Sequence, residues 1–244
     1  MRITEPIGSR DHTEIMLGQF GCILEDGIAL PARRTLTATN ITIGADPSAA
    51  AFALSAAAIV PGSSVTVTDM LVNRHRTGLY EVLEEMGAAV ELANERIVSG
   101  EIVADVTLSH RRLQGVTVAT TRIPAMIDEI PALAVAAAMA DGETVIHGLA
   151  ELRVKESDRL GATLAGLIAC GVTALADGDS LRIFGRGSAR GGAVLAHGDH
   201  RIAMAFLTLG LAADGPVCVD DGAMIATSFP DFVDSMRALG ADIE

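Results

Sequence analysis

One pattern of apolar and polar positions recurs along the chain. A helix-length stretch with apolar residues three and four apart ends in glycine and leads into a short strand-like run. It occurs as TEIMLGQFGCILE (13–25), TGLYEVLEEMGAAVEL (77–92), RLGATLAGLIACGVTAL (159–175) and FVDSMRALGADIE (232–244). The spacing predicts amphipathic helices. The glycines, Gly21, Gly87, Gly171 and Gly240, stand where a helix end needs a left-handed residue. A second helix type alternates with the first at roughly 47–60, 125–140 and 200–213. It is Ala-rich and apolar nearly all round, which predicts burial. Each copy runs into a glycine turn and a short β-like run: PGSSVTVTDM, DGETVIHG and DGPVCVDDG. VADVTL (103–108) and SLRIF (180–184) predict further strands. The alternation defines an α/β protein. The pivot glycines are about 66 to 84 residues apart, longer than the usual solenoid repeat, so the reading is three large α/β units around one core.

The repeat does not begin cleanly. Residues 46–244 hold three full helix pairs, whereas 1–45 hold one amphipathic helix, a strand and the connection ARRTLTATNITIG. The expected division is therefore 1–45, the closing part of a preceding domain, and 46–244, a domain of three repeated units. Asp46 is suited to cap a helix and Pro47 to its first position. The apolar face of the first helix (Ile15, Met16, Phe20) is expected to need a partner surface.

Composition narrows the function classes. The chain of 244 residues is 50% hydrophobic and carries a formal charge of −13, with one Tyr, six Phe and no Trp. Nucleic-acid binders are typically basic and often aromatic, so that class is set aside. Cys22, Cys170 and Cys218 lie far apart with no C-x-x-C, which argues against a disulfide framework or zinc site and fits a reducing, cytoplasmic setting. No apolar run is long enough to span a bilayer, and MRITEPIGSRDHTE is charged from the start, unlike a signal peptide. Of the 18 basic residues, 17 are Arg and one is Lys155. Lysine, unlike arginine, can be tuned to exchange a proton.

The candidate chemistry clusters at helix starts. ELRVKESDRL (151–160) places Lys155 and Glu156 before Ser157, a candidate cap, with Arg159 in the first turn. HGDHRIAMAF (197–206) opens an apolar helix with Asp199, His200 and Arg201. TRIPAMIDEIPALAV (121–135) brings Asp128 and Glu129 to another start, and GSRDHTE (8–14) offers Ser9 as a cap followed by Arg10. Helix N-termini bind anions, so several such ends with Arg or Lys suit a multiply anionic substrate. Asp128, Glu151 and Glu156 are candidate proton-transfer groups beside Lys155. Plainer readings stand beside these. Asp128 and Glu129 also suit a helix dipole, V-K-E-S-D-R-L also suits an ordinary cap with a surface ion pair, and His12, His75, His110, His147 and His197 read as structural or solvated. These residues do not by themselves name a reaction.

The segments SRDHTE, DPSAAAFALSAAAIVPGS, IPAMIDEIPALAVAAAMADG, ELRVKESDRL, GDHRIAMAF and ATSFPDF resemble EPSP synthases in order and spacing, with the glyphosate-insensitive bacterial class most similar. The resemblance runs over essentially the whole chain. VKESDRL followed about 40 residues later by DHRIAM is its most specific part. It implies an enolpyruvyl-transferase-like fold, with domains of three βαβαββ units and an active site between two domains. It implies transfer of the enolpyruvyl group of phosphoenolpyruvate to the 5-hydroxyl of shikimate 3-phosphate, with no metal or organic cofactor. Asp128 resembles the carboxylate that takes the hydroxyl proton, Lys155 a contact to both substrates, and Glu156 the group that protonates C3. Arg159 and Arg201 resemble the phosphoenolpyruvate clamp, and Glu151 a contact to the sugar acid. Ser9 and Arg10 match a strip that meets the shikimate phosphate, and the role of His200 is left open. The chain departs from the family at Ala226-Thr227-Ser228-Phe229-Pro230, where many members carry a lysine at the second position. The resemblance also implies that most of a first domain, and an N-terminal segment that gives strands to the second, lie outside these 244 residues. From this follow two expectations, an N-terminal half as partner and self-association of the chain alone. A non-catalytic anion-binding or structural fragment of the same fold is the competing reading.

Overall fold

The computed structural model describes residues 8–25, 28–30 and 36–244. The first part of the Arg-rich connection (31–35) lies outside the described residues. Helix α1 (His12–Gln19) precedes a small antiparallel hairpin, β1 (Ile23–Glu25) with β2 (Ile28–Leu30), in which Ile23 faces Leu30. Helix α2 (Pro47–Ile59) then begins as the sequence predicts. Asp46 accepts a hydrogen bond from the Ser48 N–H at 3.1 Å, and Pro47 sits in the first turn.

Strand β3 (Ser64–Leu71), helix α3 (Gly78–Glu85), β4 (Ala89–Val98) and β5 (Glu101–Ser109) follow. They form an antiparallel sheet of order β3-β5-β4, with Ala45 bridging in parallel to Met70 at its edge. The next group is β6 (Thr117–Val118), α4 (Ile130–Ala138), β7 (Asp141–Ile146), α5 (Arg159–Ala169), β8 (Thr173–Asp177) and β9 (Ser180–Arg186). Its sheet has the order β6-β7-β9-β8, parallel at β6/β7 and antiparallel elsewhere. The last group is β10 (Gly192–Val194), α6 (His200–Gly210), β11 (Val217–Val219) and α7 (Phe232–Ala238), with β10 and β11 parallel. The strand expected after Gly240 does not form. Residues 241–244 pair with no described strand, although Ile243 is buried and its carbonyl accepts from Arg237 Nε at 2.8 Å.

Helices α2, α4 and α6 pack against one another at the centre. Every residue of α4 is buried. Alanine makes this possible, because small side chains let helices without a polar face approach closely. Helices α3 and α5 bury one face each and keep Glu81, Glu84, Glu85 and Ile168 outward. The expected helix from residue 125 starts later. Two 3-10 turns (Thr120–Ala125 and Ile127–Glu129) come first, and α4 begins around Pro131, whose ring fits a first turn but not a helix interior. Helix α1 buries no residue fully, Met16 is exposed, and Ile15 lies half-buried against the β4–β5 turn at Gly100.

Candidate active site

The starts of α4, α5 and α6 converge, and Asp128 sits among them. Arg10 Nη2 donates to its Oδ2 at 2.7 Å. Lys155 Nζ lies 3.3 Å and Arg159 Nη1 3.4 Å from its Oδ1. Arg201 Nη1 donates to its backbone carbonyl at 3.2 Å. Burial alone would push the Asp128 carboxyl up. The charges of Arg201, Arg10 and Lys155 overwhelm that and hold it down at about 2.

Lys155 also reaches Glu151 Oε1 at 2.7 Å. Glu151 sits in the 3-10 turn Ala150–Val154, largely exposed. Burial pushes the Lys155 ammonium down, but the hydrogen bond to Glu151 and the charge of Asp128 outweigh it and leave the pKa raised. The sequence reading of Lys155 as tuned toward proton exchange therefore meets an environment that reinforces its charge.

Arg159 is the best-held cation. It has no exposed surface. Its Nε donates to Asp199 Oδ2 at 2.9 Å and its Nη2 is paired with Glu156. Glu156 is half-exposed and covers the guanidinium. Asp199 is fully buried and satisfied from several sides. It accepts from the Arg201 N–H at 2.9 Å, capping α6, and from Ser157 Oγ at 3.0 Å. Burial opposes its ionisation, yet the hydrogen bond and charge of Arg159 leave its pKa lowered. His200 opens α6 half-buried, and desolvation with the adjacent Arg201 lowers its pKa.

Two cap expectations are corrected. Helix α5 is capped by Asp158, which accepts from the Gly161 N–H at 3.0 Å, because the Ser157 hydroxyl turns to Asp199. Ser9 does not cap α1, which starts at His12 behind Asp11. Arg10 is drawn to Asp128 and Asp11 accepts from Asn73 Nδ2 at 2.6 Å, which fixes the strip ahead of the helix. Ser9 is exposed on that strip. Thr227, in place of the family's lysine, spends its hydroxyl on the Met224 carbonyl at 2.6 Å. Sequence reasoning missed Asp199 as the hub for Arg159 and gave Glu129 no role beyond a helix start. Among the described residues, no group of three or more His, Cys, Asp or Glu side chains is arranged to hold a metal.

One carboxylate thus lies among three cationic side chains, with a fourth cation on its backbone carbonyl, at the meeting of three helix starts in an α/β fold. The chain belongs to the EPSP synthase (3-phosphoshikimate 1-carboxyvinyltransferase) family, whose model matches residues 2–236. It is 50% identical to the 3-phosphoshikimate 1-carboxyvinyltransferase of Caulobacter vibrioides, covering 100% of this chain and 58% of that protein. It is 54% identical to the enzyme of the same name from Methylorubrum extorquens, covering 99% and 56%. The structure of an EPSP synthase from Acinetobacter baumannii superposes with a TM-score of 0.93 at 41% identity, covering 99% of this chain and 57% of that one. The enolpyruvyl transferase NikO from Streptomyces tendae shares the fold, with a TM-score of 0.70 at 21% identity over 98% of this chain and 55% of that one. The chain thus spans just over half the length of these relatives.

Proposed function

We propose that this chain is the C-terminal portion of an EPSP synthase, transferring the enolpyruvyl group of phosphoenolpyruvate to the 5-hydroxyl of shikimate 3-phosphate with release of phosphate. The observation that carries the reading is the ring of Arg10, Lys155 and Arg159 on Asp128, with Arg201 on its carbonyl. That gathers four of the chain's 18 basic residues around one carboxylate on a chain of net charge −13. We read residues 46–244 as three units on one βαβαββ plan, the second showing all six elements (β6, α4, β7, α5, β8, β9) and the third only its βαβα part (β10, α6, β11, α7) among the described residues, and residues 1–45 as the end of a preceding domain. The segments from SRDHTE to ATSFPDF taken together resemble the glyphosate-insensitive bacterial class most, and the glyphosate response of the whole enzyme is a matter for inhibition assay.

The geometry supports a sequence of proton movements. A carboxylate held at about 2 is a weak base. Two anionic substrates would compete for Arg10, Lys155 and Arg201, weaken their hold on Asp128 and raise its basicity toward the attacking hydroxyl. The hydroxyl oxygen bonds to C2 of phosphoenolpyruvate, and its proton passes to Asp128. For Arg159 to meet an anion, Glu156 must swing off it, and the freed, half-exposed carboxylate can then take up a proton from solvent and deliver it to C3. In the elimination the C3 proton returns to Glu156 as the C2–O bond to phosphate breaks, and the proton on Asp128 leaves with the departing phosphate. Lys155 counters the charge of both substrates, and Arg159 with Arg201 that of phosphoenolpyruvate.

Positioning of two reactants can account for about 7–11 kcal/mol of a barrier. Without the rest of the enzyme, that positioning is expected to fail. A coupled phosphate-release assay on the purified chain should show no turnover. Adding a matching N-terminal half should restore it. Rates near those of intact relatives from this chain alone would overturn the division of labour. Silence after reconstitution would favour a non-catalytic anion-binding fragment.

A further inference from the structure

We propose that Glu129 is a positioning residue whose buried carboxylate holds Arg201 in register with Asp128 and, through Ser48 and Arg76, ties that arginine to the start of α2. The proposal deepens the reading of Arg201 as a substrate clamp and rests on it for the ligand alone.

Glu129 is 2% exposed. Its Oε1 accepts from the Ser48 hydroxyl and lies 3.6 Å from Arg201 Nη1. The same Nη1 donates to the Asp128 carbonyl at 3.2 Å. One guanidinium nitrogen therefore meets two consecutive residues, so the place of Glu129 fixes how far Arg201 stands from the Asp128 carboxylate. Behind Glu129 the contacts continue. Arg76 Nη2 donates to Ser48 Oγ at 2.8 Å and to Asp46 Oδ1 at 2.6 Å, and Asp46 caps α2. Arg76 Nη1 lies 3.5 Å from His12 Nε2, and His12 Nδ1 lies 2.5 Å from Glu101 Oε1. His12 is two residues from Arg10, the other clamp on Asp128. The chain of contacts thus runs from the strip carrying Arg10, through the starts of α2 and α4, to the start of α6.

A plain helix-dipole role needs none of this. It is served by an exposed carboxylate, whereas burying one is costly unless charges oppose it. Two arginines, Arg76 and Arg201, face Glu129 from neighbouring elements, and Asp128 flanks it with like charge. Glu129 Oε2 and Arg76 Nε are both buried without a hydrogen-bond partner among the described residues. A group kept only for stability would more simply be apolar there. Burial pushes the Glu129 carboxyl up, partly offset by Ser48, Arg201 and Arg76. The hold on Arg201 should then weaken as pH falls through that raised value.

The test uses the 15N-labelled chain at low temperature, with the Arg201 Nη–Hη signal identified by its loss in Arg201→Lys. Glu129→Gln keeps the shape and removes the charge. The Arg201 signal is expected to shift, and its proton to exchange about tenfold faster, as a charge-assisted contact is lost. If Glu129→Gln fails to fold, Ser48→Ala keeps the charge and removes one hydrogen bond, and should move the same signal less. A folded variant with an unmoved Arg201 signal overturns the proposal. Titration with phosphoenolpyruvate separates the two levels. An affinity about tenfold weaker in Glu129→Gln carries the effect through to ligand. Absence of phosphoenolpyruvate binding by the unsubstituted chain, with the Arg201 signal still responding, leaves the positioning role standing and removes the substrate reading.

Discussion

Asp128 carries the sharpest residue-scale consequence. Its carboxyl is held at about 2 against an ordinary 3.8, so it stabilises the fold when ionised. That contribution is complete above the ordinary value and is lost as pH falls from about 4 to about 2. It amounts to on the order of 2 kcal/mol. The stability advantage of the unsubstituted chain over Asp128→Asn, measured by urea unfolding, should therefore shrink across that window. A pH-independent difference would show that the cations do not act through this charge. Asp128→Asn should also remove turnover in the reconstituted enzyme, because the amide cannot take the hydroxyl proton. Lys155 invites the complementary substitution. Lys155→Arg keeps the charge, yet a planar fork cannot serve Glu151 at 2.7 Å and Asp128 at 3.3 Å as a compact ammonium does. A fall of at least about tenfold in kcat/KM is expected, and retention of most of the activity would reduce Lys155 to an interchangeable anchor. At this scale the sequence marked the charged helix starts, since Asp128, Lys155, Arg159 and Arg201 announce themselves beside apolar stretches. It could not mark Asp199 or Glu129 as buried hubs. Their partners stand 40 residues (Arg159) and 81 residues (Ser48) away, and only packing of separate groups brings them together.

Elements obeyed local rules where the rule was steric and departed from them where a side chain had a better distant partner. Gly87 (φ 108°) and Gly171 (φ 78°) end their helices in the left-handed region, as do Gly21 and Gly240, because a β-carbon is disfavoured there. Ser157 was the wrong cap because its hydroxyl is worth more to buried Asp199 than to an exposed helix end already served by Asp158. The strand after Gly240 was legible as a pattern but lacks a paired neighbour, and a strand is defined by its pairing. Helix-to-helix closeness was legible only as an abundance of alanine. Gly166 in α5 shows what it demands, since a β-carbon there would lie 2.3 Å from the buried ring of Phe206 in α6. Gly166→Ala would normally favour a helix. Here overpacking should win and destabilise the chain by about 1–3 kcal/mol. A urea midpoint equal to or above that of the unsubstituted chain would mean that Phe206 has room to turn.

On the scale of the whole molecule, a cleft of about 1140 Å³ lies away from the charged site. It lies between the open edges of two sheets. Ser63–Val65 at the start of β3 borders one side, Val217–Val219 of β11 the other, and Leu239–Glu244 the floor. Two sheet edges without a paired neighbour among the described residues, bordering one cleft of mixed polar and apolar lining, form a template for added strands. Covering each 100 Å² of apolar surface would contribute about 2.5 kcal/mol. Helix α1 adds Met16 to the exposed apolar surface. A matching N-terminal half would cover these surfaces, and until it does, copies of the chain are expected to pair with each other. Cys218 reports on this directly, because it is exposed, belongs to β11 and lines the cleft. Cys22 and Cys170 are buried, and burial pushes the Cys170 thiol up to about 11. In chain diluted to the monomer, a thiol reagent at pH 8 should therefore label Cys218 first and Cys170 only on unfolding, and Cys218 labelling should slow as the concentration is raised and copies pair. With the N-terminal half present, Cys218 labelling should slow as a one-to-one complex appears by size exclusion with light scattering. A monodisperse monomer whose Cys218 reacts equally fast with and without that half would show that the cleft is complete as it stands.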